Sequence, residues 1–249
     1  MKNLTVALLG DPISHSLSPI IYPRLGRAAG VNVTYLAYTV KKEEAVHFLA
    51  RLYNDGVDAV NLTSPLKTLF GGHNLIVNAL EGNKVWNTDA EAFRWSYAKY
   101  LMGKKTALII GTGGVVTGVS EVLQDMGLSV TVAGRSMTRP GHISHGVAYA
   151  CIDSRWNLAE GMDAVIWAIP TEYEKGPALF LSPDTETVFI DLNYRNQEHL
   201  WFFKPGAYHN GLMMVIQNAV LALDKINGPL DQAVRDEALC LYNELQGSL

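Results

Sequence analysis

The chain has 249 residues, of which 48% are hydrophobic and 18% charged, and its formal net charge is −4. This composition predicts a globular protein with a buried core, built as one large domain or two small ones, and it argues against a broad nucleic-acid surface. No apolar run reaches the roughly 18 residues that a membrane span needs, and the two cysteines, Cys151 and Cys240, lack metal-ligand spacing. We therefore expect a cytoplasmic protein with reduced thiols and no metal, nucleic-acid or membrane partner.

Strands and helices alternate in the first hundred residues. Ser18 is predicted to cap the first helix, because the following Pro19 suits the first helical position. Lys67 lies just past the third predicted strand, at the end where open α/β sheets bind ligands. Asp89 falls in the first turn of a predicted helix, where the helix dipole stabilises a carboxylate. Strands are predicted at 4–9, 33–40 and 57–62, and helices at 18–29, 41–53 and 90–100.

A second unit is predicted to begin near residues 102–105. Its first strand, 106–110, is continuously apolar, which is typical of a parallel sheet covered on both faces. The strand leads into Gly111, Gly113 and Gly114 and a helix at 114–126, and this context favours a dinucleotide-binding turn over an ordinary tight turn. Glycines let the backbone approach a pyrophosphate, whose charge a helix N-terminus binds. Later strands are predicted at 128–133, 147–152, 163–169 and 187–192, and helices at 212–226 and 230–246.

The end of the next strand indicates which dinucleotide binds. An Asp or Glu there would bind the adenosine ribose of NAD, whereas this chain has Arg135 and Ser136, with Arg139 close by. An arginine fork suits a 2′-phosphate, so we predict NADP as the cofactor. The alternative is a pair of exposed arginines on a loop. Two nearby histidines, His142 and His145, are expected to be solvated rather than metal-binding.

Five sequence motifs occur in a fixed order: GDPISHSLSP at 10–19, NLTSPLK at 61–67, NTD at 87–89, GTGG at 111–114 and MMVIQ at 213–217. In this order, and over nearly the whole chain, they resemble the shikimate dehydrogenase family. The resemblance implies a two-domain α/β fold. An N-terminal α/β substrate-binding domain would comprise 1–101 and the returning C-terminal helices of 213–249. A Rossmann-like NADP-binding domain would comprise 102–212.

Lys67 and Asp89 are the predicted catalytic residues. An ammonium near a carbonyl oxygen stabilises the alkoxide that forms as hydride arrives and can supply the proton. Asp89 would orient that ammonium and bind a substrate hydroxyl. The alternatives are a solvated lysine and a carboxylate that only completes a helix start. The resemblance implies the catalytic interpretation, since the family gives this Lys–Asp pair the central role.

The resemblance also implies a set of substrate-binding residues. Two serines would bind a carboxylate, although capping of the helix is the alternative for Ser18 and exposure to solvent for Ser16. Amides and hydroxyls would bind ring hydroxyls, and a tyrosine keeps the family's spacing from Asp191. The matching residues are Ser16, Ser18, Asn61, Thr63, Asn78, Tyr194 and Gln217.

We therefore expect an NADP-dependent oxidoreductase, a monomer or homodimer, that interconverts 3-dehydroshikimate and shikimate in aromatic amino acid and chorismate biosynthesis. A dehydrogenase of a related cyclic hydroxy acid, such as quinate or an amino-shikimate, stays open. So does a non-catalytic dinucleotide-binding regulatory protein. The chain departs from the family at Tyr22-Pro23, where His-Asn is usual, and at Trp167-Ala168-Ile169, where Asn-Ala-Thr lies near the nicotinamide.

Overall fold

The computed structural model describes residues 1–14, 16–69, 79–81, 84–151, 159–170, 186–195 and 206–247. The chain divides into two compact units, Met1–Ala92 with Val215–Leu245, and Phe93–Met214 with Gln246–Leu249. The prediction of a two-domain α/β fold is confirmed, including the return of the C-terminal helices to the first unit. The assignment of 1–101 with 213–249 to substrate and of 102–212 to the dinucleotide stays a prediction.

The first unit contains a five-stranded sheet in the order β2-β1-β3-β4-β5. β1 is parallel to β2 and β3, and β4 and β5 add an antiparallel edge that the sequence did not reveal. The strands are β1 (Lys2–Gly10), β2 (Val31–Thr39), β3 (Ala59–Leu62), β4 (Ala79–Glu81) and β5 (Lys84–Trp86). The helices are α1 (Ser18–Ala28), α2 (Ala45–Asn54), the start of α3 (Asp89–Leu101), most of α5 (Leu212–Asn227) and α6 (Gln232–Gln246).

The path of the chain creates a ligand-binding edge beside β1. The crossover through α1 leads to β2 on one side of β1, and the crossover through α2 leads to β3 on the other side. Such a change of direction opens a crevice at the carboxyl ends of the strands. Leu9 and Leu62 are paired at these ends, and the backbone N–H of Asp11 donates to the carbonyl of Ser64 at 3.1 Å. The loops after β1 and β3 are therefore held together.

The second unit contains a six-stranded parallel sheet in the order β11-β10-β9-β6-β7-β8. Numbered within the unit, this is the order 6-5-4-1-2-3 of dinucleotide-binding sheets, whose crevice lies between β6 and β9. The strands are β6 (Thr106–Ile110), β7 (Ser129–Gly134), β8 (Ala148–Cys151), β9 (Ala164–Trp167), β10 (Val188–Asp191) and β11 (Tyr208–His209). Helix α4 (Val116–Asp125) follows β6.

Two details of the predicted helices are wrong. Leu17 is the N-cap of α1, and Ser18 is its first helical residue, so the predicted capping role of Ser18 does not hold. The Ser18 N–H instead donates to Oγ of Ser16 at 3.2 Å. Helix α2 begins at Ala45 rather than at Lys41, because the preceding charged residues are exposed and bury no apolar face. Among the described residues, none of the helices has the length and hydropathy of a membrane span.

Candidate active site

The predicted catalytic pair is in direct contact. Nζ of Lys67 lies 2.6 Å from Oδ2 of Asp89. Lys67 belongs to a short 3₁₀ helix (Leu66–Thr68) after β3, and Asp89 is the first residue of α3. The lysine side chain is 19% exposed and the aspartate 2%. A carboxylate buried to this degree needs a partner of opposite charge, and Lys67 supplies it at charge-assisted hydrogen-bond distance.

Three polar side chains hold Asp89 in place. Its backbone N–H donates to Oδ1 of Asn87 at 3.0 Å, which anchors the start of α3. Nδ2 of Asn218 on α5 donates to Oδ1 of Asp89 at 3.3 Å. The hydroxyl of Thr88 donates to Oδ1 of Asn218 at 2.7 Å, which fixes the amide with its nitrogen facing the carboxylate. Both Asp89 oxygens therefore accept hydrogen bonds, one from an ammonium and one from an amide.

The ammonium of Lys67 keeps donors to spare. It carries three N–H groups, and within the described part of the chain its only hydrogen bond is the one to Asp89. Two N–H groups therefore remain for a ligand oxygen. A partly exposed ammonium that is held by a buried carboxylate and has donors left over can stabilise negative charge developing on that oxygen.

The two serines lie at the junction of the β1 loop and α1. Oγ of Ser16 accepts the Ser18 backbone N–H, so its own proton is available to an acceptor. Both serines are partly exposed. Hydroxyl donors at the start of a helix are compatible with carboxylate binding.

Asn61, in β3, is 8% exposed and bonded to two tyrosines. Its Nδ2 donates to the hydroxyl of Tyr22 at 2.7 Å and to that of Tyr35 at 2.9 Å. Burial raises the pKa of both phenols well above the usual value, so the hydroxyls stay protonated. The sequence did not reveal this cluster, because α1, β2 and β3 contribute one residue each.

The remaining predicted substrate residues are only partly brought together. Thr63 directly follows β3 and, like Gln217 of α5, lies in the first unit and is partly exposed. Tyr194 follows β10 in the second unit. Asn78 lies outside the described residues. Asn218, next to Gln217, was missed, and no motif could have identified it.

The glycine turn after β6 fits a dinucleotide phosphate. Gly111 has φ +125°, and a Cβ there would lie 2.8 Å from the carbonyl oxygen of Ala168, so the close approach of β6 and β9 requires glycine. No atom lies within 4 Å of a Cβ position at Gly113. Within the described part of the chain, the N–H groups of Gly113 and Gly114 donate to no protein acceptor. Open space, unpaired N–H groups and the N-terminus of α4 together suit a pyrophosphate.

The loop after β7 carries the predicted arginines. Arg135 is exposed and has no partner among the described residues. Arg139 donates to the carbonyl of Ser144 at 3.3 Å and contacts Nδ1 of His145, while Ser136 accepts the N–H of Thr138 at 3.1 Å. Arg135 is therefore the arginine with the freer guanidinium.

His142 is not exposed to solvent as the sequence predicts. Its ring lies partly buried, with Nε2 at 3.0 Å from the carbonyl oxygen of Thr112 in the glycine turn. Thr117 of α4 donates to the carbonyl of His142 at 3.1 Å. The predicted solvated histidine instead ties the arginine loop to the glycine turn. Among the described residues, no group of three His, Cys, Asp or Glu could hold a metal.

Comparison with known proteins gives consistent matches. Residues 8–71 match the family described as the shikimate dehydrogenase substrate binding domain. Shikimate dehydrogenase (NADP(+)) of Hyphomonas neptunium is 26% identical over 209 residues, which are 76% of this chain and 77% of the relative. The enzyme of the same name from Moorella thermoacetica is 33% identical over 162 residues, 58% of this chain and 55% of the relative.

The solved structures include shikimate 5-dehydrogenase from Thermus thermophilus, crystallised in complex with NADP(H) and shikimate. It superposes with a TM-score of 0.76 at 24% sequence identity, over 95% of this chain and 99% of that one. At this identity the likeness establishes the shared fold.

Proposed function

We propose that this chain is a member of the shikimate dehydrogenase family and that it interconverts 3-dehydroshikimate and shikimate with NADP as cofactor. The observation that carries the proposal is the 2.6 Å contact between Lys67 and Asp89, with two N–H groups of Lys67 left for a ligand. A protein that only binds a dinucleotide has no need of an oriented ammonium in its other unit.

In the reductive direction, the carbonyl carbon gains a hydride and the carbonyl oxygen gains a proton. NADPH, whose pyrophosphate would be held by Gly111, Gly113 and Gly114, would supply the hydride. Lys67 donates a hydrogen bond to the carbonyl oxygen, stabilises the charge that develops on it, and transfers one proton from Nζ as the alcohol forms. Because its side chain is 19% exposed, Lys67 can regain the proton from solvent. Oxidation of the alcohol reverses each step.

Asp89 keeps the ammonium of Lys67 in position. Its buried carboxylate holds the ammonium at 2.6 Å and is itself held by Asn218. Asp89 also offers oxygen lone pairs to a neighbouring substrate hydroxyl.

The other polar residues serve binding. Ser16 and Ser18 would hold the substrate carboxylate, and Asn61, Thr63, Asn78, Tyr194 and Gln217 its hydroxyls. Gly111, Gly113 and Gly114 would hold the pyrophosphate, with Arg135, Ser136 and Arg139 near the 2′-phosphate. The departure at Trp167 leaves this scheme intact, since that side chain is 0% exposed and packs in the core of the second unit rather than facing a ligand.

A panel of substrates and cofactors tests the proposal. Purified protein is incubated with shikimate, quinate or an amino-shikimate and with NADP⁺ or NAD⁺, and the reduced cofactor is followed by absorbance. We expect turnover with shikimate and NADP⁺ to exceed every other combination. Turnover of quinate alone would assign a related cyclic hydroxy acid, and cofactor binding without turnover of any acid would favour the regulatory alternative.

The location of the enzyme and its oligomeric state are part of the same proposal. Shikimate and NADP are small, charged and water-soluble, so we place the enzyme in the cytoplasm, as a monomer or homodimer. Light scattering coupled to size-exclusion chromatography measures the mass of the particle. A mass above that of two chains would contradict this assignment.

A further inference from the structure

Three secondary-structure elements bring two phenols and one amide together in the first unit. Tyr22 of α1 and Tyr35 of β2 stack with ring centroids 4.5 Å apart and planes at 29°. Both hydroxyls contact the same atom, Nδ2 of Asn61, at 2.7 and 2.9 Å. Tyr22 is 4% exposed and Asn61 8%, so the contacts are made away from bulk water.

The nitrogen and the oxygen of the Asn61 amide therefore have different hydrogen-bonding roles. A side-chain amide has two N–H donors on its nitrogen and two lone pairs on its oxygen. The two phenol oxygens occupy both donors of Asn61. Among the described residues, none donates to its Oδ1. A ligand that meets Asn61 consequently finds an acceptor and no donor.

Both phenols keep their protons, so their oxygens are neutral acceptors for the Asn61 amide. Burial raises the pKa of both phenols, which keeps each hydroxyl neutral at any pH used in an assay. Tyr22, Asn61 and Tyr35 thus form one hydrogen-bonded cluster.

We propose that Tyr22 and Tyr35 are positioning residues that hold the Asn61 amide with Oδ1 free for the substrate, so that Asn61 selects a ring hydroxyl and rejects a group that only accepts. The inference rests on the proposed function, since it names the group that Asn61 recognises. Lys67 presents only donors and Asn61 only an acceptor. If a substrate bound with its reacting carbonyl at Asn61, the lone pairs of the carbonyl oxygen would face those of Asn61 Oδ1. Their repulsion disfavours this reversed orientation.

The orientation of Asn61 is tested first without substrate. Side-chain amide resonances of ¹⁵N-labelled protein are assigned with Asn61→Ala, and their exchange with solvent is measured for the wild type, Tyr22→Phe and Tyr35→Phe. Tyr38→Phe is the matched control, because Tyr38 lies on the same strand as Tyr35 and packs against Phe48 instead. In the wild type we expect the N–H groups of Asn61 to exchange at least about tenfold more slowly than exposed amides. Their exchange should become faster in Tyr22→Phe and Tyr35→Phe and stay unchanged in Tyr38→Phe. Exchange as fast as that of exposed amides in the wild type would overturn the proposal.

The selectivity is tested next with shikimate and with analogues in which fluorine replaces one non-reacting hydroxyl. Fluorine cannot donate a hydrogen bond, so at one ring position the wild type should lose on the order of tenfold or more in kcat/KM. Tyr22→Phe and Tyr35→Phe should reduce this discrimination at least about threefold, because the amide can then turn its nitrogen to the ligand, while the KM for NADP⁺ and the activity of Tyr38→Phe stay unchanged. Unchanged discrimination in both phenol variants would refute the positioning role.

The two tests separate the possible failures. If the wild type oxidises no shikimate, the proposed function fails, and the amide exchange still decides how Asn61 is held. If shikimate is oxidised but Asn61 is unprotected, only the positioning role fails. Should the buried Tyr22→Phe variant not fold, as judged by its thermal transition, the partly exposed Tyr35→Phe carries both tests.

Discussion

Lys67 and Asp89 are 22 positions apart in the sequence, and Nζ of one lies 2.6 Å from Oδ2 of the other. One residue follows β3 and the other begins α3. Asn218 on α5 holds the second oxygen of the same carboxylate. The ammonium therefore has one fixed partner, and its position depends on three separate segments of the chain.

Replacement of Asp89 should show that Lys67 and Asp89 act as one catalytic unit. Asp89→Asn leaves an amide that cannot neutralise Lys67, and we expect turnover to fall by ~10²-fold or more. The double variant Asp89→Asn/Lys67→Ala should be little worse than the worse single variant, because residues of one catalytic unit are non-additive. The control is Asp125→Asn, because Asp125 is exposed and pairs with Arg94. If the free-energy losses of the two single variants add up in the double variant, Lys67 and Asp89 have independent roles.

Arg135 should determine the choice of cofactor. It is exposed and unpaired within the described chain, so its guanidinium is available to a 2′-phosphate. Arg135→Ala should weaken NADP binding by roughly 1.5–3 kcal/mol, which is the contribution of a charge-assisted hydrogen bond, and leave NAD binding unchanged. Calorimetric titration measures both, with Arg51→Ala on the surface of α2 as the control. Equal losses for the two cofactors would assign Arg135 to the shared part of the molecule or to the fold.

The serines should contribute to substrate binding more than to rate. A hydrogen bond to the carboxylate exists in the ground state and in the transition state, so Ser16→Ala and Ser18→Ala should raise KM more than they lower kcat. Ser14→Ala, at an exposed position in the same loop, is the control. Because Ser18 does not cap α1, its replacement should have little effect on helix stability. Equal use of shikimate and its carboxamide by the wild type would exclude an anion site here.

His209 should make the protein less stable in mild acid. Burial lowers the pKa of its imidazole to about 4, with nearby Lys99 adding to the effect, and the ring stacks on Tyr100. The unfolded chain has a histidine pKa of ~6.5. Below that pH the unfolded state takes up the proton first, so stability is complete above about 6.5 and is lost as the pH falls toward about 4.

Denaturant unfolding at several pH values measures this loss. His209→Gln should flatten the dependence of the unfolding free energy on pH between about 6.5 and about 4, relative to the wild type. His47→Gln, at an exposed position on α2, should leave the dependence as it is. An identical slope in the wild type and His209→Gln would show that His209 is not held in its neutral form.

The sequence predicts the parts of the site that follow strand ends. Lys67 and the glycine turn each lie just beyond a parallel strand, and the carboxyl ends of such strands meet at one edge of a sheet. The contact with Asn218 could not be predicted, since it depends on how α5 packs more than a hundred residues later. The sequence predicts Ser18 as the cap although Leu17 is the cap, because helix signals do not fix the first residue of a helix to within one position.

The tyrosine cluster shows a second limit of sequence reasoning. Tyr22 belongs to α1 and Tyr35 to β2, and nothing in their spacing indicates that both hydroxyls contact Asn61. The stretch bounded by Pro140-Gly141 and Gly146 predicts a loop, and hence a His142 exposed to solvent. In the structure, its ring instead supplies a hydrogen-bonding group to the carbonyl of Thr112. In both cases tertiary packing, rather than local pattern, determines the partner.

The most direct test of the account is the rate of NADPH formation from shikimate and NADP⁺ by the wild type and by Lys67→Ala, with thermal unfolding and NADP⁺ binding measured on the same samples. A group that acts on developing charge is needed mainly in the transition state. For Lys67→Ala we expect kcat to fall by ~10²–10⁴-fold, with the thermal transition and NADP⁺ affinity close to those of the wild type. Near wild-type turnover in Lys67→Ala would contradict it and remove Lys67 from the mechanism.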